Sequence, residues 1–172
     1  LRSIVYHTAV REIGDEATYE KLLSWYKKNT IPGERTALAV SLVSFKDVGL
    51  FNRSLQKITS SEVKLQDSLY WVAYALSNRH NKQIAWDWVK ANWDWVAKNF
   101  SKEKEVDYYL RFCARGFASA EHLADYTKFF SSVDIFGSTR AFEQGKETIA
   151  WQSAWKERDT APMLRWLEQF TK

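Results

Sequence analysis

The sequence predicts an all-α chain, an α-solenoid of antiparallel helix pairs, HEAT- or armadillo-like, with about ten helices. Three observations lead there. Among 172 residues there are 6 Gly and 2 Pro, so breakers are scarce. Ala, Leu, Lys and Glu, all strong helix formers, are common throughout. Apolar residues recur at three- and four-residue spacing, and no alternating strand pattern competes with them.

The first helix runs to about Ile13 and stops at Gly14. Leu1, Ile4 and Val5 follow helical spacing from the first residue, so the chain reads as a piece of a larger protein, one helical domain over 1–172. Asp15 caps the second helix, "DEATYEKLLSWYKKN", with Glu16 in its first turn and Lys27 and Lys28 in its last. Pro32 starts the third, which runs to about Phe45. Asp47 introduces the fourth, ending near Ser60. "SSEVKLQDSLYWVAYALSN" is the fifth. Leu65, Leu69, Val72 and Leu76 form one of its faces, and Tyr70 and Tyr74 a second.

The sixth helix lies in "RHNKQIAWDWVKANWDWVAKNF" and holds four of the chain's nine tryptophans. Trp-Asp-Trp-Val occurs at 86–89 and again at 93–96, one heptad apart. Helical phase puts Trp86, Val89, Trp93, Val96 and Phe100 on one arc, and Trp88 and Trp95 on another that borders the polar stripe. The tryptophans therefore read as core, and a stacking platform is the alternative. Ser101 caps the seventh helix and Ser119 the eighth, "AEHLADYTKFFSS". Ser138 starts a long ninth. Asp159 starts a tenth, with Pro162 in its first turn. Turns of about 2–6 residues force consecutive helices to pack as antiparallel neighbours.

The composition excludes several classes. A net charge of +4 is spread along the length, with no basic run beyond Lys27-Lys28, so nucleic acid is not the expected partner. No apolar run approaches the ~20 residues of a membrane span, so no membrane partner is expected. The single cysteine, Cys113, sits between Phe112 and Ala114 and reads as a buried thiol. A cytoplasmic setting is the expectation. The histidines are His7, His80 and His122. None has another His at i+4, and no H-E-x-x-H, G-x-S-x-G or phosphate loop occurs. His80 reads as solvated in a turn, and His122 as a surface residue of a first helical turn. No catalytic or metal-binding residue is assigned, and no cofactor is expected in this chain. Arg115, before Gly116, and Arg140, opening the ninth helix, either hold a carboxylate or are helix-end charges.

Several stretches, taken in order, resemble the C-terminal helical domain of zinc aminopeptidases of the aminopeptidase N and puromycin-sensitive type. "LRSIVYHTAVREIGD" is similar to the start of that domain's helix pairs. "SSEVKLQD" resembles a Glu-Val-Arg-x-Gln-Asp segment, with Lys64 in place of the Arg. Ala85, Trp86, Asn92 and Trp93 match its Ala-Trp-x-x-x-x-x-Asn-Trp pattern. "GFASAEHLADYTKFF" and "STRAFEQGKETIAWQSAWKERDTAPMLRWL" are similar to its last segments, through Arg140, Gln144, Trp151 and Trp155.

The resemblance implies an α-solenoid that caps an active-site chamber and controls peptide access. The zinc, H-E-x-x-H and Gly-x-Met-Glu-Asn belong to a catalytic domain that these 172 residues do not contain. This chain is expected to be inactive alone. Its implied partners are that catalytic domain and peptide substrates. In some relatives basic residues meet the far carboxylate of the substrate, and one such Arg falls where this chain has Ser44. The segment at Arg115 and Gly116 faces the chamber in relatives, which makes Arg115 the substrate-facing candidate. The alternative is a stand-alone helical-repeat scaffold that binds a protein or peptide.

Overall fold

The computed structural model describes residues 2–102 and 104–170. The described residues form ten helices and no strand, as an α-solenoid-like domain requires. They divide into two compact units, 1–99 and 100–172.

The first unit contains α1 (Arg2–Ile13), α2 (Glu16–Lys28), α3 (Pro32–Leu42), α4 (Val48–Ile58), α5 (Leu65–Ser77) and α6 (Lys82–Ala91). It also holds α7 (Trp93–Phe100), except for the last residue. The expected caps are present: Asp15 accepts from Thr18 N–H and Asp47 from Leu50 N–H, each at 2.8 Å. Pro32 occupies the first turn of α3, where its missing N–H costs nothing. Gly14 is needed because a Cβ there would lie 2.3 Å from the Val10 carbonyl oxygen and 2.8 Å from the Phe45 ring. Helix α3 packs on α1, α2 and α5, and α5 also packs on α4 and α6.

Two apolar assignments change. Ile4 and Val5 of α1 are exposed and Val10 is its buried anchor; Leu1 lies outside the described residues. Helix α5 begins at Leu65, not near Ser60, and buries Ser68, Trp71, Val72, Ala75 and Leu76. Tyr70, Tyr74 and Leu65 are exposed, so the expected second apolar face is solvated. Trp71 takes the core position, edge-on to Tyr26 with ring centroids 5.2 Å apart.

The α3–α4 connection is buried from Val43 to Phe45, so its carbonyls need partners inside the protein. Asn78 Nδ2 donates to the Val43 and Phe45 carbonyls, both at 3.0 Å. Asn81 Nδ2 donates to those of Phe45 at 2.9 Å and Lys46 at 3.2 Å. The "SSEVKLQD" segment holds two ionic latches. Glu62 accepts from Lys27 at 2.9 Å and Lys57 at 3.0 Å. Asp67 pairs with the buried Arg35 and accepts from Tyr26 Oη at 3.0 Å.

The predicted sixth helix is two helices, broken at Asn92. The Asn92 side-chain amide donates to the Trp88 carbonyl at 2.8 Å, sharing it with the Asn92 backbone N–H at 3.0 Å. Asn99, one heptad later, repeats this bond to Trp95 at 2.7 Å. The tryptophan phase survives the break. Trp86 and Trp93 are buried, at 0% and 4% exposure, while Trp88 and Trp95 are half-buried.

The second unit contains α8 (Glu105–Ala114), α9 (Ala120–Ser132) and α10 (Thr139–Glu168), with α10 packed on the other two. Helix α8 starts after Lys104, so Ser101 does not cap it. Ser119 caps α9 by accepting from His122 N–H at 3.2 Å. The predicted ninth and tenth helices are one, and Pro162 lies inside it. Asp159 caps nothing because its carboxylate is taken by the Arg158 guanidinium, at 2.9 and 2.7 Å. Gly145 is buried on α10; a Cβ there would lie 2.1 Å from Tyr126 Oη. Tyr126 Oη donates to the Leu110 carbonyl at 3.1 Å, which ties α9 to α8.

His122 is not a surface residue. Only 6% of it is exposed, and its ring lies flat on Phe117 with centroids 3.6 Å apart. Its Nε2 bonds the Cys113 carbonyl at 3.0 Å, satisfying a helix-end acceptor within the core. Cys113 is fully buried as expected, and burial pushes its thiol well above the ordinary range.

Candidate functional site

Each unit contains a cavity lined by arginine. In the first unit, His7 and Arg11 of α1, Val40 of α3, Ser44, and Tyr74, Ser77, Asn78 and Arg79 enclose about 60 Å³. The elements explain the convergence. His7 and Arg11 are four residues apart and share a helix face. The buried Ser44 ends the turn after α3. Asn78 leaves α5 in extended backbone, at ψ 104°, and Arg79 follows it.

The hydrogen bonds of this pocket settle the state of His7. Ser44 Oγ donates to the Val40 carbonyl at 2.6 Å, which uses its proton. It therefore accepts from His7 Nδ1–H, at 2.8 Å. The Nε2 lone pair then accepts from Arg11 Nη1 at 3.1 Å. Burial, followed by the Arg11 charge, holds the His7 pKa below its ordinary value. His80 is exposed, as read from the sequence, and accepts from Arg79 Nε at 3.1 Å. Arg11 and Arg79 are thus bonded to neutral imidazoles, and neither joins a salt bridge among the described residues. The positive charge is intact and can receive an anion.

Sequence patterning carried no sign of this cluster. The resemblance marked Ser44 as the place of a missing Arg, and the fold brings Arg11 and Arg79 to that place from two other elements.

In the second unit, a groove of about 700 Å³ lies between α8 and α10. Arg111, Arg115, Tyr108, Phe112, Gln144 and Trp151 line it, with Gly145 in its floor. Glu147 is the one carboxylate among its lining residues. Arg115 is exposed at the end of α8 and is in no salt bridge among the described residues. The Tyr108 and Phe112 rings stack at 6.2 Å and 24°. Trp151 is 60% exposed, an apolar wall beside the cations. Arg140 is exposed at the start of α10 and does not line the groove, whereas Gln144, one turn further on, does.

Among the described residues, no group of three or more His, Cys, Asp and Glu side chains could hold a metal ion. The described residues do not fit the zinc that the resemblance assigns to the parent's catalytic domain. No helix among the described residues is long and apolar enough to cross a membrane.

The model of the ERAP1-like C-terminal domain family matches residues 1–150. Glutamyl aminopeptidase of Bitis rhinoceros is 27% identical over 171 residues, covering 98% of this chain and 18% of that protein. Aminopeptidase N of Lactobacillus delbrueckii subsp. lactis is 28% identical over 135 residues, covering 78% of this chain and 16% of that protein. Aminopeptidase 2, mitochondrial, of Saccharomyces cerevisiae is 25% identical over 170 residues, again 98% of this chain and 18% of the relative. The chain spans 18% or less of the length of these relatives. It belongs to the ERAP1-like C-terminal domain family, the C-terminal domain of M1 aminopeptidases.

Proposed function

We propose that this chain is the non-catalytic helical domain of a zinc aminopeptidase, where it caps the active-site chamber and controls which peptides reach the zinc. The parent would remove N-terminal residues from peptides with a zinc-activated water held in its catalytic domain. The observation that carries the reading is the small open pocket around Ser44, where Arg11 and Arg79 present cationic donors with no carboxylate partner among the described residues. A peptide's C-terminal carboxylate is an anion of the right size and charge for it. The second-unit groove, by itself, would offer a peptide the Arg115 cation and apolar contact from Trp151.

The test uses the full parent enzyme and a matched peptide pair, one with a free C-terminal carboxylate and one with a C-terminal amide. The wild type is expected to prefer the free acid in kcat/KM by roughly tenfold, the worth of one charge-assisted bond. Arg79→Ala should abolish that preference and leave hydrolysis of a single-residue aminoacyl substrate unchanged. Equal rates on acid and amide in the wild type would reject the carboxylate pocket.

The second reading, a helical scaffold for a protein partner, is favoured by one observation. Trp151, Trp155, Met163 and Trp166 are exposed on α10, and Phe170 just beyond its end. An H-E-x-x-H upstream in the same reading frame, with a Glu 19 positions beyond its second His, decides for the aminopeptidase.

A further inference from the structure

We infer that His7 is a proton-dependent third cation of the Ser44 pocket, so that a carboxylate ligand binds together with one proton taken from solvent onto His7. The inference rests on the reading that this pocket receives a carboxylate. It starts from the wiring of His7. Neutral His7 points a lone pair at Arg11 and spends its Nδ1–H on Ser44. In that state the imidazole offers an anion no donor, and the Arg11 guanidinium is partly engaged in holding it.

Protonation reverses both conditions. An Nε2–H would confront Arg11 Nη1, now donor against donor across what is a 3.1 Å contact. The two cations must then turn their N–H groups to a shared acceptor. The cavity that His7, Arg11 and Arg79 help to line has room for a carboxylate head, about two waters' share of liquid volume. Ser44 keeps its bonds to Nδ1 and to Val40, so the ring stays anchored while Nε2 changes role.

The surrounding charges favour this coupling. On α1, Arg11 faces His7, and Glu12 pairs with Lys46 at 3.6 Å. From α3 and its turn come Val40 and Ser44, which carry no charge. From α5 and the turn after it come Tyr74 and Arg79, and His80 is bonded to Arg79. Without an anion, burial and then the Arg11 charge keep His7 neutral; a bound carboxylate offsets that charge and makes its protonation favourable. Coupling between two bound species is reciprocal, so whatever the carboxylate does to proton affinity, the proton does to carboxylate affinity.

The test measures binding of N-acetyl-trialanine to the 172-residue chain by calorimetry at pH 5.5 and pH 8.0; its carboxyl group is ionised at both. The wild type is expected to bind roughly tenfold more tightly at pH 5.5, a coupling of ordinary size. His7→Gln should bind with one affinity at both pH values, close to the wild-type value at pH 8.0. His80→Gln should keep the pH dependence. Arg79→Ala should weaken binding at both. Equal wild-type affinity at the two pH values, or a His7→Gln variant that retains the dependence, overturns the role of His7 and leaves the pocket standing. No wild-type binding at either pH, or equal binding of the C-terminal amide, overturns the pocket itself.

Discussion

The first unit combines core rings with buried polar latches, and the second is wedged together by a run of rings. In the first, buried carbonyls of the α3–α4 turn are held by Asn78 and Asn81, and Arg35 is held by Asp67. In the second, Phe117, His122, Tyr126, Phe130 and Phe142 make a run of ring contacts, and Gly145 lets α10 approach Tyr126. The contrast extends to the cavities. The first unit holds a small pocket whose donors are oriented by hydrogen bonds, and the second holds a wide groove lined by two exposed arginines. Directional bonds fix atoms to fractions of an ångström and suit recognition of one charged group. Ring packing fixes surfaces and suits an extended apolar contact.

The largest expected effect probes the second unit. Gly145→Ala forces a methyl group into the Tyr126 hydroxyl, 2.1 Å away, and should cost about 3 kcal/mol by urea unfolding. An unchanged midpoint would mean that the close approach is not what seats α10. Next is Asp67→Asn, which leaves the Arg35 charge without its counter-ion where only 10% of its side chain is exposed. Asp67 is itself partly exposed, so a loss of about 2 kcal/mol is expected, below the range for fully buried pairs. High salt should shrink that loss and leave the Gly145→Ala loss untouched.

Two titrations should act at opposite ends of the pH scale, His7 in the first unit and Cys113 in the second. The His7 pKa is lowered in the folded state, so the unfolded chain binds the extra proton. Its contribution is full above the ordinary value of 6.5 and is lost as pH falls below it. His7→Gln should flatten the thermal melting temperature between pH 7 and pH 5. The Cys113 thiol is raised, so its contribution is full below the ordinary 9.0 and is lost as pH rises past it. Cys113→Ala should remove that alkaline slope, the smallest of these effects. A slope that survives either substitution assigns the titration to another group.

Much of this frame was legible because it follows from local rules. The caps at Asp15, Asp47 and Ser119 stand where the sequence put them, and heptad phase separated Trp86 and Trp93 from Trp88 and Trp95. The errors arose where a side chain had a choice of partner. Asn92, whose amide shares the Trp88 carbonyl with its own backbone N–H, is the turn residue between two helices read as one. Asp159 took Arg158 and did not start one. His122 satisfied a core carbonyl, which first-turn position alone does not foretell. Arg115 stood out beside Gly116 and does line a groove. Arg11 and Arg79 did not stand out, because their shared pocket depends on α1 packing on α3 and on the turn after α5.

Cys113 is the chain's one thiol, and it is sealed from solvent. No reagent can reach it until part of α8 swings out, so its labelling rate is a clock for the opening of that helix. With reagent in excess the clock reads the opening rate itself, and with little reagent it reads the fraction of time spent open. Because α8 forms one wall of the groove, a peptide seated there would slow the clock without touching the sulfur. A single buried atom thereby turns occupancy of an uncoloured site into a chemical half-life.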